Sequence, residues 1–308
     1  MPVAEISAVL KEAVAAPDPR LQHLLDHSLT GGKGLRPTLV LLCARFGIHD
    51  TLEVRRVAAA IELIHLASLI HDDILDGAAV RRGLPALHCL YGPVPAVLTG
   101  DYLFATAFGL LAGSKKAILT TITEAIRSMC SGEILQLTAT GPEKKSYFTY
   151  IGQKTAALFS AACRCGAILC RLKRPQQNYL ARFGWHLGLA YQIIDDYLDL
   201  FGSMARMGKP NRQDLARGLL TLPVLRFLEL SPEAAPWREK INRGLKAAEI
   251  DELIAAARQL KCDEYTAAAA GEQISLAIEA LEMLPPNPVQ EELALLAART
   301  LNPLYEYE

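Results

Sequence analysis

Apolar residues recur at intervals of three and four along most of this chain, a spacing that predicts helices rather than strands. One or two amphipathic helices are expected over residues 2–30, a further one from about Pro37 to Phe46, and longer ones over residues 95–112 and 115–138. Residues 84–95 are rich in Gly and Pro and are expected to form a loop. Because no linker interrupts the pattern, we predict an all-α fold in one domain over residues 1–308.

The most informative apolar stretch is Ile61–Gly83. Its polar side chains recur at steps of 3, 7 and 4 residues, which places them on one stripe of a helix: Glu62, His65, Asp72 and Asp76. Carboxylates near a helix C-terminus meet the negative end of the backbone dipole, so cations are expected beside them. Carboxylate oxygens favour a hard ion, and Mg²⁺ is commonly coordinated by protein carboxylates and substrate phosphates together. Arg81 and Arg82 follow the Gly77 turn and could hold such a phosphate.

A second copy of the same spacing lies in the apolar segment Gly188–Gly202. Here Gln192, Asp195, Asp196 and Asp199 share a helical face. One Asp-Asp-x-x-Asp motif is more often a solvated acidic turn. Two copies in apolar helices, each followed shortly by Gly, predict a pair of metal sites.

These two motifs and the residues between them resemble the polyprenyl synthetase family, the trans-isoprenyl diphosphate synthases, over roughly residues 31–223. The resemblance implies an isoprenoid-synthase-type bundle of antiparallel helices around a central cavity. It also implies that the two aspartate clusters face each other and hold two or three Mg²⁺ ions against an allylic diphosphate. The metal ligands implied in this way are Asp72, Asp73, Asp76, Asp195, Asp196 and Asp199.

A basic segment, GGKGLRP at residues 31–37, precedes the third predicted helix. It is not a Walker phosphate loop, because Gly34 follows Lys33 where Ser or Thr is required. Lys33 and Arg36 would lie at a helix N-terminus, which attracts anions, although alone they could be solvated cations. The family resemblance implies that they bind the diphosphate of isopentenyl diphosphate together with His65 and Arg82. Without the resemblance, His65 would more often be a core histidine.

Further site residues come from the resemblance and from the segment that follows the second motif. Lys154 and Thr155 match the family's Lys-Thr element and, with Gln192, are the implied catalytic residues. Glu133 and Gln136 alone would indicate only a buried hydrogen-bond network. Residues 203–218 are expected to form an ordered loop over the site, with Lys209 near the allylic diphosphate.

The sequence departs from the family pattern at two positions in that region. Arg212 replaces a usual glycine, and Leu219 stands where a second lysine is common. The loss of that lysine leaves the allylic site in question, because the substrate would have one cation fewer.

Composition excludes some classes of partner. With 51% hydrophobic and 21% charged residues and a net charge of −1, nothing favours nucleic acid or an acidic membrane. Seven scattered cysteines, including a cluster at Cys163, Cys165 and Cys170 expected to be buried thiols, predict a reducing, cytoplasmic location. The start of the chain lacks a basic region followed by an apolar run. No uninterrupted apolar run reaches a membrane span, so at most peripheral membrane association is expected.

The charges suggest the reaction. Carboxylates alone repel a diphosphate, so one anion site needs Mg²⁺, while the basic residues can hold a second anion directly. Two such sites fit a condensation of two substrates, and the family resemblance implies a prenyltransferase that condenses isopentenyl diphosphate with an allylic diphosphate. A class I terpene synthase, and a non-catalytic or helper-dependent subunit, are the alternatives, and Leu219 keeps the second open. The family implies a homodimer, and a small helper subunit is a further alternative.

The size of the residues below Asp72 bears on product length. Ser68 and Ala67 lie four and five residues before Asp72, about 6–7.5 Å along a helix axis. Short-chain relatives carry a bulky aromatic at this level, and none occurs here. An open tunnel of this depth predicts a product longer than farnesyl, of about 25 to 40 carbons. Leu103, Phe104 or Phe108 could form a deeper floor.

Overall fold

The structure, a computed structural model, describes residues 2–32, 34–138, 144–202 and 212–305. Two predicted site residues, Lys33 and Lys209, and most of the predicted loop over residues 203–218 lie outside the described residues. The chain forms two compact units, and unit 1 comprises Met1–Ala125, Leu158–Ala181 and Pro286–Val289. Unit 2 comprises Ile126–Ala157, Arg182–Pro285 and Gln290–Glu308. The single domain over residues 1–308 stays a prediction.

Unit 1 is built mainly from the N-terminal helices. Its elements are α1 (Pro2–Ala13), α2 (Pro19–Ser28), α3 (Leu35–Ala44), α4 (Thr51–Leu75), strands β1 (Val80–Arg81) and β2 (Leu84–Pro85), α5 (Leu87–Tyr91) and α6 (Pro93–Leu111). It also takes parts of α7 (Lys116–Thr138), α9 (Ala157–Leu169) and α10 (Arg174–Phe201). Helix α4 is the centre of this unit, because α1, α3 and α6 all pack against it.

Unit 2 contains the rest of α7 and α10 and most of the C-terminal helices. These are α8 (Lys144–Ile151), a π-helical turn (Gly152–Ala156), α11 (Gln213–Ala216), α12 (Leu222–Leu230), α13 (Ala234–Asn242), α14 (Ala247–Gln259), α15 (Cys262–Glu282), α16 (Pro288–Arg299) and α17 (Asn302–Tyr305). Helix α12 packs against α8, α13, α14 and α15. Its buried Phe227 and Leu228 join Trp237 and Leu253 in the apolar core of the unit.

The sequence explains why α4 is long and where it ends. Asp50 caps its N-terminus by accepting the backbone N–H groups of Leu52 and Glu53, at 2.8 and 3.1 Å. Alanine, leucine and isoleucine then bury one broad face of its 25 residues. At the other end Gly77 adopts φ +60°, and the Ala78 N–H donates to the Asp73 carbonyl at 2.9 Å. This Schellman cap satisfies carbonyls in the turn that carries the first aspartate motif.

Most expectations about helices are confirmed, and one is wrong. Residues 84–95 are not a loop, because β2, α5 and the first turn of α6 occupy them. Within the described residues, α6 alone has the length and apolar composition of a membrane-spanning helix, with a mean hydropathy of 1.4, and Asp101 interrupts its apolar run.

Candidate active site

The first aspartate motif lies on the last turn of α4 in unit 1. Asp72 and Asp76 are half-buried, and Asp76 is the C-cap residue, whose N–H donates to the Asp72 carbonyl at 2.7 Å. Both side chains therefore lie at the negative end of the helix dipole, where a carboxylate is unfavourable unless a cation is near. The geometry places them where a cation would be stabilised.

Asp73 has different surroundings from its neighbours. Its side chain is 6% exposed and forms an ion pair with Arg81 on β1. The Arg81 Nε donates to Asp73 Oδ1 at 2.8 Å, and an Nη nitrogen donates to the same oxygen. A buried carboxylate needs such a partner. Asp73 therefore fixes one predicted anion-binding arginine at the end of α4.

The second arginine lies in the turn of the β1–β2 hairpin. Arg82 and Gly83 have φ values of +52° and +77°, the pattern of a type I′ turn, and a non-glycine residue is strained there. The Arg82 guanidinium donates to the Gly31 carbonyl at 2.7 Å. A Cβ added to Gly32 would lie 2.8 Å from Arg82 Nη1, so only glycine permits this close approach. The hairpin thus brings Arg82 to the segment that precedes Lys33.

Arg36 and His65 form a half-buried pair in the same unit. Arg36 lies over the Phe159 ring at 4.4 Å, and its Nη1 donates to His65 Nε2 at 3.0 Å. A guanidinium only donates, so Nε2 must be the unprotonated nitrogen and the proton lies on Nδ1. Burial, followed by the charges of Arg36 and Arg82, lowers the pKa of His65 well below 6.5. His65 is therefore neutral and offers one N–H donor.

Predicted tunnel residues also lie on α4. Ser68 is half-buried, and its hydroxyl donates to the His65 carbonyl at 2.8 Å. Ala67 is fully buried. Of the possible floor residues on α6, Leu103 is fully buried, whereas Phe104 contacts the His71 ring at 6.0 Å between centroids. Ser68 shares the stripe of Asp72 and is the more accessible of the two small residues.

The second motif lies on α10 in unit 2, where Asp196 is the buried member. Its Oδ2 accepts a hydrogen bond from the Tyr147 hydroxyl at 2.6 Å, and its Oδ1 accepts from Gln192 Nε2 at 2.8 Å. The Gln192 Oε1 accepts from the Thr155 hydroxyl at 2.7 Å, which fixes the amide orientation. Burial, with the Asp214 charge adding to it, raises the pKa of Asp196. Both carboxylate oxygens of Asp196 therefore already accept hydrogen bonds from protein side chains.

Lys154 and Thr155 lie in the π-helical turn Gly152–Ala156, a geometry often found at functional sites. The Lys154 ammonium contacts Glu133 at 2.5 Å and donates to Gln136 Oε1 at 2.7 Å, so the polar patch on α7 holds this lysine. A Cβ on Gly132 would lie 2.5 Å from the Lys154 backbone nitrogen. Glycine at position 132 is what allows α7 and the π-helical turn to approach so closely.

The other two aspartates of α10 are more accessible, since Asp195 is exposed and Asp199 half-buried. Asp199 organises the next described segment. Its carbonyl accepts the Arg212 N–H at 2.7 Å, and its Oδ2 accepts the Asp214 N–H at 3.2 Å. Arg212 has φ +67°, a left-handed conformation that glycine adopts without strain, which explains why the family usually has glycine at this position. The Arg212 guanidinium forms an ion pair with Asp251 at 2.5 Å. Leu219 is half-buried just beyond α11.

These residues fit a magnesium ion of the kind that substrate phosphates help to hold. Within the described residues, no group of three or more His, Cys, Asp or Glu side chains is gathered as a self-sufficient metal site. Mg²⁺ commonly uses only one or two carboxylates and completes its octahedron with water and phosphate. Paired, accessible carboxylates one turn apart on α4 and on α10 suit that chemistry, whereas Asp73 and Asp196 are buried.

Sequence reasoning did not anticipate three of these contacts: the Asp73–Arg81 pair, the Tyr147–Asp196 hydrogen bond and the role of Asp214. Burial was the available clue for the first two, because an aspartate in an apolar helix requires a donor nearby. Nothing in the spacing separated the buried aspartates from the accessible ones. That distinction depends on packing between helices.

Known proteins share this fold over nearly the whole chain. A heptaprenyl diphosphate synthase component 2 from Geobacillus stearothermophilus is 36% identical, covering 89% of this chain and 86% of its own. A short chain isoprenyl diphosphate synthase from Methanothermobacter thermautotrophicus is 37% identical, covering 88% and 87%. The crystal structure of a polyprenyl synthase from Caulobacter crescentus, complexed with calcium and isoprenyl diphosphate, matches with a TM-score of 0.92 and 32% identity, covering 97% of this chain and 94% of that one.

The match to the polyprenyl synthetase family covers residues 18–257. Together with the helical structure, these similarities confirm the predicted all-α, isoprenoid-synthase-type fold. The chain belongs to the polyprenyl synthetase family.

Proposed function

We propose that this protein is a Mg²⁺-dependent trans-prenyltransferase that adds isopentenyl diphosphate units to an allylic diphosphate. The observation that carries the proposal is the retention of two kinds of anion site in one chain. Unit 1 holds a neutral His65 and the guanidiniums of Arg36 and Arg82, which suit an anion without metal. Accessible aspartates on α4 and α10 suit an anion that brings metal with it.

The proposed magnesium ligands are Asp72 and Asp76 on α4 and Asp195 and Asp199 on α10. Mg²⁺, when bound, supplies the positive charge that favours departure of the allylic diphosphate. Calcium together with isoprenyl diphosphate in the Caulobacter relative supports a divalent cation in this role. Asp73 and Asp196 are then positioning residues, since each is buried and hydrogen-bonded within the protein.

The remaining contacts suggest which residues bind each substrate. Arg36, Arg82 and the His65 Nδ1–H would bind the diphosphate of isopentenyl diphosphate and orient its double bond. Thr155 and Gln192 are hydrogen-bonded to each other, and their oxygen dipoles would stabilise positive charge on the allylic carbon as its C–O bond breaks. The Lys154 ammonium, held by Glu133 and Gln136, would stabilise the departing diphosphate. A C–C bond then forms, and the proton lost from the isopentenyl unit leaves with the released diphosphate.

We propose a product longer than farnesyl, because the positions one turn below Asp72 are Ser68 and Ala67. Relatives that are heptaprenyl and octaprenyl diphosphate synthases support a long product, and a short chain isoprenyl diphosphate synthase is also among the similar proteins. The small side chains favour the longer range.

We also propose that α5 and α6 bind a second subunit. Their exposed face carries Leu90, Val94, Val97, Leu98 and Phe108, and Val94 and Leu98 are 67% and 61% exposed. Several exposed apolar side chains on two neighbouring helices indicate an interaction surface. A second copy of this chain is the proposed occupant, and a helper subunit is the alternative suggested by the relative named component 2. All seven cysteines are free thiols, which supports a reducing, cytoplasmic location.

The test is activity of the purified protein on allylic diphosphates, with and without isopentenyl diphosphate, in Mg²⁺ and in EDTA. We expect elongated linear products that require both substrates and the metal. Cyclic or unphosphorylated products from the allylic substrate alone would identify a terpene synthase. Elongation only after addition of a second protein would identify a helper-dependent subunit.

A further inference from the structure

Glu62 is a buried carboxylate that the proposed mechanism does not use. It lies on α4 one turn before His65 and is 7% exposed. The charges of Arg36 and Arg82 act on it, but within the described residues its oxygens accept no hydrogen bond. A carboxylate this buried is costly to keep ionised unless cations lie near it.

Glu62 lines a cavity of about 230 Å³ in unit 1. The other walls are mostly apolar or backbone, from α1, from the glycine segment before α3, and from Pro37 and Leu66. The charged and titratable groups that face Glu62 or this cavity are Arg36 on α3, His65 on α4, Arg82 in the hairpin and Lys11 on α1. Lys33 lies outside the described residues.

Two opposing electrostatic effects act on the carboxyl group of Glu62. Burial raises the pKa of its carboxyl group, whereas the charges of Arg36 and Arg82 act in the opposite direction. The two arginines are also the ones assigned above to the diphosphate of isopentenyl diphosphate. Any anion that binds them therefore weakens their stabilisation of the Glu62 carboxylate and repels it directly.

We propose that Glu62 takes up a proton when a diphosphate binds to Arg36 and Arg82, so that its charge sets the affinity of this site. The inference rests on the proposed function, which assigns that site to isopentenyl diphosphate. The proton comes from solvent, and no covalent bond other than the O–H bond is formed. Glu62 is thus a positioning residue that acts through the two arginines.

A dependence on pH follows by linkage. With Glu62 ionised in the free protein, as the proposal requires at pH 8, binding must either capture a proton or tolerate the repulsion. Glu62→Gln removes this cost while it keeps the shape of the side chain. We expect the variant to bind isopentenyl diphosphate about tenfold more tightly at pH 8, which corresponds to one pKa unit of linkage, and the difference to narrow at pH 6.

Isothermal titration calorimetry with isopentenyl diphosphate in EDTA, at pH 8 in two buffers of different ionisation enthalpy, measures the protons taken up. We expect uptake by the wild type, by Glu62→Asp and by Glu124→Gln, a control on the exposed face of α7. Glu62→Gln should show none. Its KM for isopentenyl diphosphate should fall at pH 8 while the KM for the allylic substrate stays constant.

Three results would overturn the inference. Uptake that persists in Glu62→Gln would assign the proton to His65. Weaker binding by Glu62→Gln at both pH values would make Glu62 a structural support for the arginines. Wild-type binding without proton uptake would refute the linkage alone, whereas no wild-type binding would refute the proposed site as well.

Discussion

The hydrogen bond from Tyr147 to Asp196 can be removed almost without changing shape. Tyr147 is 1% exposed, and its ring packs edge-on against Phe148 and Tyr150 with centroids 5.3 and 5.4 Å apart. Tyr147→Phe keeps those contacts and deletes only the hydroxyl, which donates to Asp196 Oδ2 at 2.6 Å. The substitution leaves one oxygen of a buried aspartate without its donor.

The expected cost follows from that geometry. Leaving a buried acceptor unsatisfied costs about 1–3 kcal/mol, and a carboxylate lies toward the upper end, so we expect unfolding to become easier by about 2–3 kcal/mol. Tyr150→Phe is the matched control, because within the described residues the Tyr150 hydroxyl forms no hydrogen bond. It should change the free energy of unfolding by less than about 0.5 kcal/mol.

Urea denaturation followed by circular dichroism measures the difference between the two variants, and steady-state kinetics shows its effect on function. Because Asp196 also orients Gln192, kcat should fall severalfold in Tyr147→Phe while the Mg²⁺ concentration for half-maximal activity stays unchanged. Equal stabilities for the two variants would refute the hydrogen-bond argument. A raised Mg²⁺ requirement in Tyr147→Phe would show instead that Asp196 is a metal ligand.

Four further predictions test other parts of the site. Asp72→Asn and Asp195→Asn should each lower turnover by orders of magnitude and raise the Mg²⁺ requirement with the fold intact by circular dichroism, since each removes a proposed ligand and no packing group. Ser68→Phe and Ala67→Phe should both shorten the products, which chromatography measures. Ala67→Phe should also lower the free energy of unfolding by about 1–3 kcal/mol, because Ala67 is fully buried. Unchanged products in both variants would show that this level of the tunnel does not limit product length. Leu219→Lys should lower the KM for the allylic diphosphate, and a variant that is only less stable would make Leu219 a packing residue. Leu98→Glu should turn a dimer into a monomer in light scattering, whereas Leu295→Glu, at an isolated site 52% exposed, should not.

Local sequence patterns predicted the helices well because their causes are local. The end of α4 is an example, since Gly77 and the Schellman hydrogen bonds around it depend on neighbouring residues only. The failure at residues 84–95 has a physical cause too. Pro93 begins α6 at a position where proline is favourable, so its presence indicated a helix start rather than a loop.

The two aspartate motifs show where sequence reasoning stops. Spacing placed six aspartates on two helices, yet it treated Asp72 and Asp73, or Asp195 and Asp196, as equivalent. Their difference arises from what packs beside them: Arg81 reaches Asp73 across the Gly77 turn, and Tyr147 reaches Asp196 from α8. Such partners are tens of residues away or on another element, and no periodicity reveals them.

The same reasoning bears on the two departures from the family pattern. Arg212 keeps the left-handed backbone that a glycine would adopt, and its ion pair with Asp251 offsets part of that strain. The Asp199 carbonyl and carboxylate meanwhile hold Arg212 and Asp214 by their backbone N–H groups. The N-terminus of α11 is therefore tied to the proposed metal ligand Asp199 by backbone N–H groups, which a side-chain substitution leaves intact. Leu219 in place of a lysine removes a positive charge but none of these backbone hydrogen bonds. We therefore expect it to change the affinity for substrate rather than the structure of the site.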